Sequence, residues 1–352
     1  FTMMVKLAVI CGLTLAVIGT ILIRPISIWL GATDDMLGYC VTYGRIALIF
    51  NTTFILQNVF QSFFVVAQKP KLGLTAIVLA GVTNMCLDAL FIGVFKWGVA
   101  GAAMATALSE CVGGLFGLFY FLRPNTSLLR LVKTKMEAKA ILKACGNGSS
   151  ELMTNISTSL VSMLYNFQLL RFAGENGVAA YGVLMYMQFV FNSMFIGYTI
   201  GTSPIVSYNY GAGNHKELKN MLKKGLLIMS ISGCFMMLLA QILAGPLANI
   251  FVGYDADLFA LTRHAFKVFS FAFILTGLNI FASAFFTALN NGVISAAISF
   301  LRTLVFQMAS VLLLPIIFGL DGIWLAITVA EICACIISGI FIFKNRNRYH
   351  YF

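Results

Sequence analysis

The sequence predicts an all-α, polytopic membrane protein with about ten transmembrane helices. Hydrophobic residues make up 60% of the chain and charged residues only 10%, and the mean hydropathy is +0.93. A soluble domain has about a quarter charged residues. Most charges fall in short polar breaks between apolar runs of about 20 residues or more, each long enough to cross a bilayer. One integral membrane domain is therefore expected, without an attached soluble domain.

The predicted spans are the apolar runs between these breaks. Most breaks are short, so consecutive spans are expected to be antiparallel neighbours. The one long break is polar and basic, which is typical of a cytoplasmic crossover. It divides an N-terminal lobe of four helices (1–122) from a C-terminal lobe of six helices with a basic tail (148–352), the crossover being 123–147. In chain order the spans cover about residues 5–28, 40–66, 72–95, 99–122, 148–172, 178–207, 222–250, 260–287, 293–318 and 322–343.

The basic residues predict the orientation of the spans. They concentrate in alternate breaks, whereas the opposite breaks are mostly acidic, so the basic side is expected to be cytoplasmic. An even number of spans then places both ends of this chain in the cytoplasm. The net charge of +11 reflects this orientation, and no basic stripe in a soluble segment suggests nucleic-acid binding. The basic set is Lys69, Lys71, Arg123, Arg130, Lys133, Lys135, Lys139, Lys143, Lys216, Lys219, Lys223, Lys224, Lys344, Arg346 and Arg348; the acidic set is Asp34, Asp35, Glu175, Asp255, Asp257 and Asp321.

An internal repeat relates spans one to four to spans seven to ten. Nine identities recur in one ungapped register at an offset of 221 residues, so the two halves are expected to be parallel. Spans five and six have no partner, which leads us to expect two further helices, some 70 residues, before the first residue of this chain. The identities are Asn58, Phe60, Ser62, Phe64, Ala67, Gly98, Gly101, Ala105 and Glu110, which recur as Asn279, Phe281, Ser283, Phe285, Ala288, Gly319, Gly322, Ala326 and Glu331.

The strongest functional signal is Asp88, a carboxylate inside a long apolar span. A charge at this depth costs at least a few kcal/mol, so it marks a functional site by default. Asn84 lies four residues earlier on the same helix face, and Thr106 lies on the next span. Oxygen ligands without sulfur or imidazole suit a hard cation or a proton. The alternative is that Asp88 only bonds a neighbouring helix or caps a local bend.

Other ionisable residues inside the spans have more than one interpretation. Glu110 and Glu331 are related by the repeat, which favours a shared structural role such as a polar lock to a neighbouring helix. Arg45 and Arg302 are candidate counter-ions for these glutamates or for Asp88, because buried charges are normally paired. Glu151 is either a second proton site or a first-turn acid favoured by the helix dipole.

Spans five and six carry the residues predicted to line a substrate cavity. Apolar and aromatic surface with a few neutral polar groups suits an accommodating ligand site, and methionine adapts to different shapes. The alternative is ordinary helix packing. No phosphate loop, catalytic triad or metal-ligand set occurs, so neither an enzyme nor a cofactor is expected, and the one metal considered is Na⁺ at Asp88. The cavity candidates are Asn155, Met163, Tyr165, Asn166, Met187, Gln188 and Phe191.

These motifs resemble the MATE (multidrug and toxic compound extrusion) family, in particular its bacterial members of the MepA type. The likeness is carried by Asn84-x-x-x-Asp88, by the run from Gly98 to Thr106, by the run from Pro204 to Asn214, and by Gly322 to Ala326 with Glu331. The resemblance implies a twelve-helix fold of two six-helix lobes, of which this chain would hold spans three to twelve. It also places a cation site at Asn84, Asp88 and Thr106, with a further acid on a span absent here.

The resemblance further implies a secondary antiporter in a bacterial plasma membrane, expected to be monomeric. Na⁺ or H⁺ would enter and bind at Asp88, and cationic amphiphilic drugs would leave through a cleft between the lobes. Some members carry an acid on the tenth span, but residues 269–289 contain none, and Glu151 only approximates the family's acid on span seven. The alternative is a lipid-linked oligosaccharide flippase of the same superfamily, which the small number of intramembrane bases argues against.

Overall fold

The computed structural model describes residues 1–29 and 34–351, without the side chains of residues 34–36. The side chains of Asp34 and Asp35 and the terminal Phe352 therefore lie outside the described residues. Every regular element in the described part is helical, which confirms the prediction of an all-α polytopic protein. The chain divides into two compact units, Phe1–Ile141 and the residues from Leu142 onward.

The first unit contains four long helices and a short one. These are α1 (Thr2–Trp29), α2 (Asp34–Val66), α3 (Pro70–Asp88), α4 (Gly98–Leu122) and the start of α5 (Ala138–Asn147). Helix α3 continues as a π-helix at Ala89–Val94, whose widened turn shows in the 2.9 Å bond from the Phe95 amide to the Leu90 carbonyl. The extended crossover lies along α1, where the Lys6 ammonium donates to the Thr134 carbonyl at 2.7 Å.

The second unit is built from longer helices. In order these are α6 (Ser149–Gly211), α7 (His215–Val252), α8 (Ala256–Phe269), a 3₁₀ turn (Ser270–Ala272), α9 (Phe273–Ala288), α10 (Gly292–Phe300), a π-helix (Leu301–Phe306), α11 (Gln307–Lys344) and α12 (Arg346–Tyr349). Its core is rich in phenylalanine, and Phe266, Phe273 and Phe286 are fully buried.

Eight helices in the described residues are long and apolar enough to cross a membrane, and two of these contain a break. The backbone leaves the helical region at Gly174 in α6 and at Gly319 in α11. An unbroken α6 of 63 residues would be about 95 Å long at 1.5 Å per residue, far more than a bilayer. Tyr165 stacks on Tyr181 with ring centroids 4.8 Å apart, so the two parts of α6 fold back on each other. Counting the parts separately gives ten spans.

The internal repeat is visible in the backbone. Gly98 has φ of +56° and its partner Gly319 has φ of +57°, a left-handed conformation that favours glycine. The next paired glycines both allow close approach. A Cβ on Gly101 would lie 3.1 Å from the Cβ of Phe91, and one on Gly322 would lie 2.4 Å from the Leu314 carbonyl oxygen. The two halves thus make the same reversal of direction with the same residue.

In the first unit, α4 packs tightly on α2 through glycines. A Cβ on Gly114 would lie 2.6 Å from the backbone carbonyl oxygen of Thr53, and one on Gly117 would lie 2.5 Å from the Phe60 side chain. Phe60, Phe64 and Phe121 fill the neighbouring core and are each 1% exposed. The absence of side chains on α4 therefore sets the distance between the two helices.

We expect Gly114→Ala to destabilise the protein by about 1–3 kcal/mol, because the added methyl group would clash with the Thr53 backbone, which cannot move aside as a side chain can. The matched control is Gly81→Ala on α3, where a Cβ would meet nothing within 4 Å. This control is expected to be neutral or up to about 1 kcal/mol more stable. Thermal unfolding of the purified variants measures the difference, and equal melting temperatures would contradict the packing described.

Candidate functional site

Asp88 lies where α3 changes from α-helical to π-helical hydrogen bonding. Its backbone is still helical, with φ of −60° and ψ of −47°, and the wide turn begins at the next residue. Such π segments often occur at functional sites. The side chains of Asn84 and Asp88 are half-buried, and within the described residues neither makes a hydrogen bond or an ion pair. Asp88 therefore has no described bond to a neighbouring helix, and its carboxylate is available to a ligand.

Thr106 lines a cavity of about 210 Å³ between α2 and α4. The cavity also contains the side chain of Glu110, one helical turn further along α4, and Asn51 from α2. Asn84 and Asp88 are not among its lining residues. The structure thus places Thr106 beside Glu110 in this cavity, and its role in a cation site with Asn84 and Asp88 stays a prediction.

Glu331, the repeat partner of Glu110, has a complete set of partners. Its carboxylate is 1% exposed and forms a bidentate ion pair with Arg302, with the shortest N–O distance 2.7 Å. The Asn279 amide donates to the same carboxylate at 2.6 Å and to the Glu331 carbonyl at 3.0 Å, and Ser338 donates to the Asn279 amide oxygen. This network joins α9, the second π-helix and α11, and it assigns Arg302 to Glu331.

Glu151 occupies the first turn of α6 and is exposed. The Asn155 amide donates to the Glu151 backbone carbonyl at 2.9 Å, a bond within the same helix. The carboxylate itself has no hydrogen bond or ion pair in the described part of the chain. Its role as a second coupling site stays a prediction.

The predicted substrate-cavity residues lie in two different environments. Tyr165, Met187 and Phe191 are buried in the core of the second unit, where Phe191 stacks on Phe273 at 5.1 Å. By contrast, the remaining four are exposed or half-buried within that unit, and they stay predictions as substrate contacts: Asn155, Met163, Asn166 and Gln188.

Two features of the site were missed from the sequence. The first is Asn51 with Tyr43 on α2, which line the cavity beside Glu110 and lie eight residues apart on one helix face. Polar residues at this spacing in an apolar span were the available signal. The second feature lies away from that cavity, in the second unit. It is a buried hydroxyl cluster in which the Ser295 hydroxyl forms hydrogen bonds with the hydroxyls of Ser283 at 2.9 Å and Thr287 at 2.6 Å. Serines and threonines are so common in membrane helices that their sequence spacing did not single these out.

Comparison with known proteins adds independent information. A family model described as MatE matches residues 1–90 and 152–313, well over half of the chain. Asn84 and Asp88 fall inside the matched residues, whereas Thr106, Glu110 and Glu151 fall outside them.

Curated relatives cover nearly the whole chain. The multidrug export protein MepA of Staphylococcus haemolyticus strain JCSC1435 is 24% identical over 343 residues, which are 97% of this chain and 75% of that protein. MepA of Staphylococcus saprophyticus is 22% identical over 326 residues, which are 91% of this chain and 70% of that protein.

A solved structure shows the same fold. The outward-facing structure of a multidrug resistance MATE family transporter of the MOP superfamily has a TM-score of 0.92 and 22% sequence identity, covering 99% of this chain and 78% of that one. MATE proteins are transporters, which confirms the prediction of a multi-pass transporter rather than an enzyme. The family match, the relatives and the shared fold agree with the resemblance first seen in the sequence, and the chain belongs to the MATE family.

Proposed function

We propose that this protein exports cationic amphiphilic drugs from the cytoplasm in exchange for Na⁺ or H⁺ moving down its gradient. The relatives named MepA are multidrug export proteins, which supports a drug substrate. Coupling of drug export to ion entry is inferred from Asp88, whose carboxylate is half-buried in a membrane span and has no counter-ion among the described residues. We place the protein in the plasma membrane, with the basic breaks between its spans on the cytoplasmic side.

Asp88 can couple the two fluxes because its charge is costly without a ligand. A cation or a proton removes that cost, so its binding favours whichever state of the transporter surrounds the carboxylate with the least water. A ligand shifts a conformational equilibrium only by its differential affinity for the two states. We place this differential at Asp88, and Asn84, one turn away on the same helix, supplies an amide oxygen to a cation.

The change from α-helical to π-helical bonding after Asp88 provides a point at which the helix can bend when an ion or proton binds. A π segment bonds residue i to residue i+5 instead of i+4, which inserts a wider turn into the α-helix, and such π-bulges are among the places where helices bend sharply. In the proposed mechanism, neutralisation of Asp88 alters the stability of the turn at Ala89–Val94. Alternating access then follows from two arrangements of this helix.

Ethidium efflux tests the proposal. Cells lacking their own multidrug pumps would express the protein and be loaded with ethidium, and either a sodium or a pH gradient would be imposed. We expect efflux to follow one of the two gradients and to stop when an ionophore removes it. Cells carrying an empty vector provide the control.

Failure of both gradients to drive efflux, with the protein present in the membrane, would contradict the proposal. That outcome would favour the alternative of a lipid-linked oligosaccharide flippase. A fluorescent lipid-linked sugar in reconstituted vesicles would then be the substrate to measure.

A further inference from the structure

The segment Asn345–Tyr351, which follows α11, folds back against the second unit. The Asn291 amide donates a hydrogen bond to the Tyr349 hydroxyl at 2.7 Å, and the Tyr351 hydroxyl donates to the Ile342 carbonyl at 2.8 Å. Both tyrosines are buried, and their rings stack on each other with centroids 6.1 Å apart. The segment is therefore held in one place, together with the residues that lie between these tyrosines and α11.

Two arginines of this segment are positioned by aromatic rings. The Arg346 guanidinium carbon lies 4.0 Å from the centroid of the Phe343 ring, and that of Arg348 lies 5.4 Å from the centroid of the Tyr349 ring. A guanidinium over a ring keeps the N–H groups in its plane free to donate. Within the described residues, neither guanidinium forms an ion pair or a hydrogen bond. Both are therefore available to an anionic ligand.

The same segment reaches the start of α7. The rings of His350 and His215 lie against each other with centroids 5.0 Å apart, and His215 is the first residue of α7. Lys216 and Lys219 follow in the first turns of that helix and are exposed. These side chains and those of the segment form one group, which we call the basic surface: Arg346, Arg348, His350, His215, Lys216 and Lys219.

Little negative charge balances the basic surface. In residues 215–219 and 345–351 the one acid is Glu217, which accepts a hydrogen bond from Asn220 at 3.1 Å. No member of the basic surface forms an ion pair in the part of the chain that the structure describes. The positive charge of this surface therefore suits a negatively charged partner.

The basic surface begins where exposed apolar helix faces end. On α11 the exposed apolar side chains are spaced by four, four and three residues, so they form one stripe along the helix. The last of them is Phe343, the ring beneath Arg346. On α7 the exposed Leu227 and Ile231 follow the lysines in the same way. A change from apolar to basic surface along a membrane span marks the depth of the lipid headgroups. The stripe on α11 consists of Ile332, Ile336, Ile340 and Phe343.

We infer that the basic surface binds the phosphate groups of anionic phospholipids, in the leaflet on the basic side of the protein. Arginine recognises phosphate through two parallel N–H donors, and lysine adds a point charge. A soluble phosphate would use these charges alone, whereas a phospholipid also lays its acyl chains along the apolar stripe that ends at Phe343. This inference goes beyond drug export and does not depend on it.

Lipid binding to the detergent-solubilised protein tests the inference, with native mass spectrometry to count the bound lipids. Dioleoylphosphatidylglycerol is the anionic probe, and dioleoylphosphatidylcholine is the zwitterionic one. We expect the wild type to bind phosphatidylglycerol more tightly. The double variant Arg346→Gln with Arg348→Gln should lose about thirtyfold in affinity for it, because each base near anionic lipid contributes a factor of about five. The matched control is Arg171→Gln with Arg263→Gln, which removes the same charge from exposed positions outside the basic surface and should keep the wild-type affinity.

Equal binding of the two lipids by the wild type would overturn the inference, as would unchanged phosphatidylglycerol affinity in the double variant. Inorganic phosphate, added at constant ionic strength, should leave lipid binding unchanged. Displacement of the lipid by phosphate would show a site for soluble anions instead and would also overturn it. A monodisperse elution profile checks the fold of each variant. If the double variant fails this check, Arg348→Gln alone is compared with Arg263→Gln, and about a fivefold loss is expected.

Discussion

Asp88→Asn is expected to abolish gradient-driven drug efflux while the protein still reaches the membrane. Asparagine has the shape of aspartate but neither carries a negative charge nor exchanges a proton. Because the wild-type carboxylate has no described partner, its replacement breaks no hydrogen bond or ion pair in the described structure. We expect the coupled efflux rate to fall to the background level of cells that carry an empty vector.

The control for this experiment is Asp257→Asn. Asp257 is an exposed acid in the first turn of α8, so its loss removes the same charge from the protein away from the span that carries Asp88. Efflux by this variant should equal that of the wild type. Wild-type efflux by Asp88→Asn would instead refute the coupling role and leave Asp88 as a polar group of the helix bend.

Arg302→Met is expected to destabilise the protein by about 3–5 kcal/mol. The substitution leaves the Glu331 carboxylate buried without its counter-charge, and an unpaired buried charge is among the most costly single defects. Arg302 makes three hydrogen bonds of 2.7–3.0 Å to this carboxylate, all of which are lost. Reversible unfolding in a denaturing detergent measures the change in free energy.

The double variant Arg302→Met with Glu331→Leu provides the decisive comparison. Replacement of a whole buried ion pair by apolar residues is often close to neutral. Asn279 would keep its bond to the backbone carbonyl at position 331 and its bond from Ser338. We therefore expect the double variant to be more stable than Arg302→Met alone. If the loss of stability in the double variant equals the sum of the losses in Arg302→Met and Glu331→Leu alone, the two residues do not act as a unit.

The fold was predictable because membrane solvation imposes a strong pattern on the sequence. Each apolar run had to become a helix, since backbone polar groups in lipid are satisfied only within a segment or a closed barrel. The predicted breaks at 173–177 and 319–321 contain Gly174 and Gly319, the two residues at which the backbone leaves the helix. Because these breaks contain glycine, they could be predicted from the sequence.

The pairing of the intramembrane charges was not predictable, and the reason is geometric. Arg302 and Glu331 are 29 residues apart on different helices, and their contact depends on helix rotation, which hydropathy does not record. The same limit applies to Thr106. The sequence did not indicate that the packing of α4 on α2 places Thr106 beside Glu110, and its role in a site with Asn84 and Asp88 stays a prediction.

The π-helix after Asp88 also was beyond sequence reasoning, because it is defined by backbone bonding and carries no residue signature here. It has a consequence for chain length. Each residue advances an α-helix by about 100°, so deletion of one residue from the regular part of α3 would rotate the helix on its two sides by about that angle relative to each other. Deletion of one residue from Ala89–Val94 would instead remove the extra residue of the wide turn and leave Asp88 and Trp97 in nearly the same relative orientation. The wide turn thus holds a residue that the helix can lose without reorienting the carboxylate, and tolerance to a one-residue deletion should be higher in this short apolar stretch than in the regular helix before it.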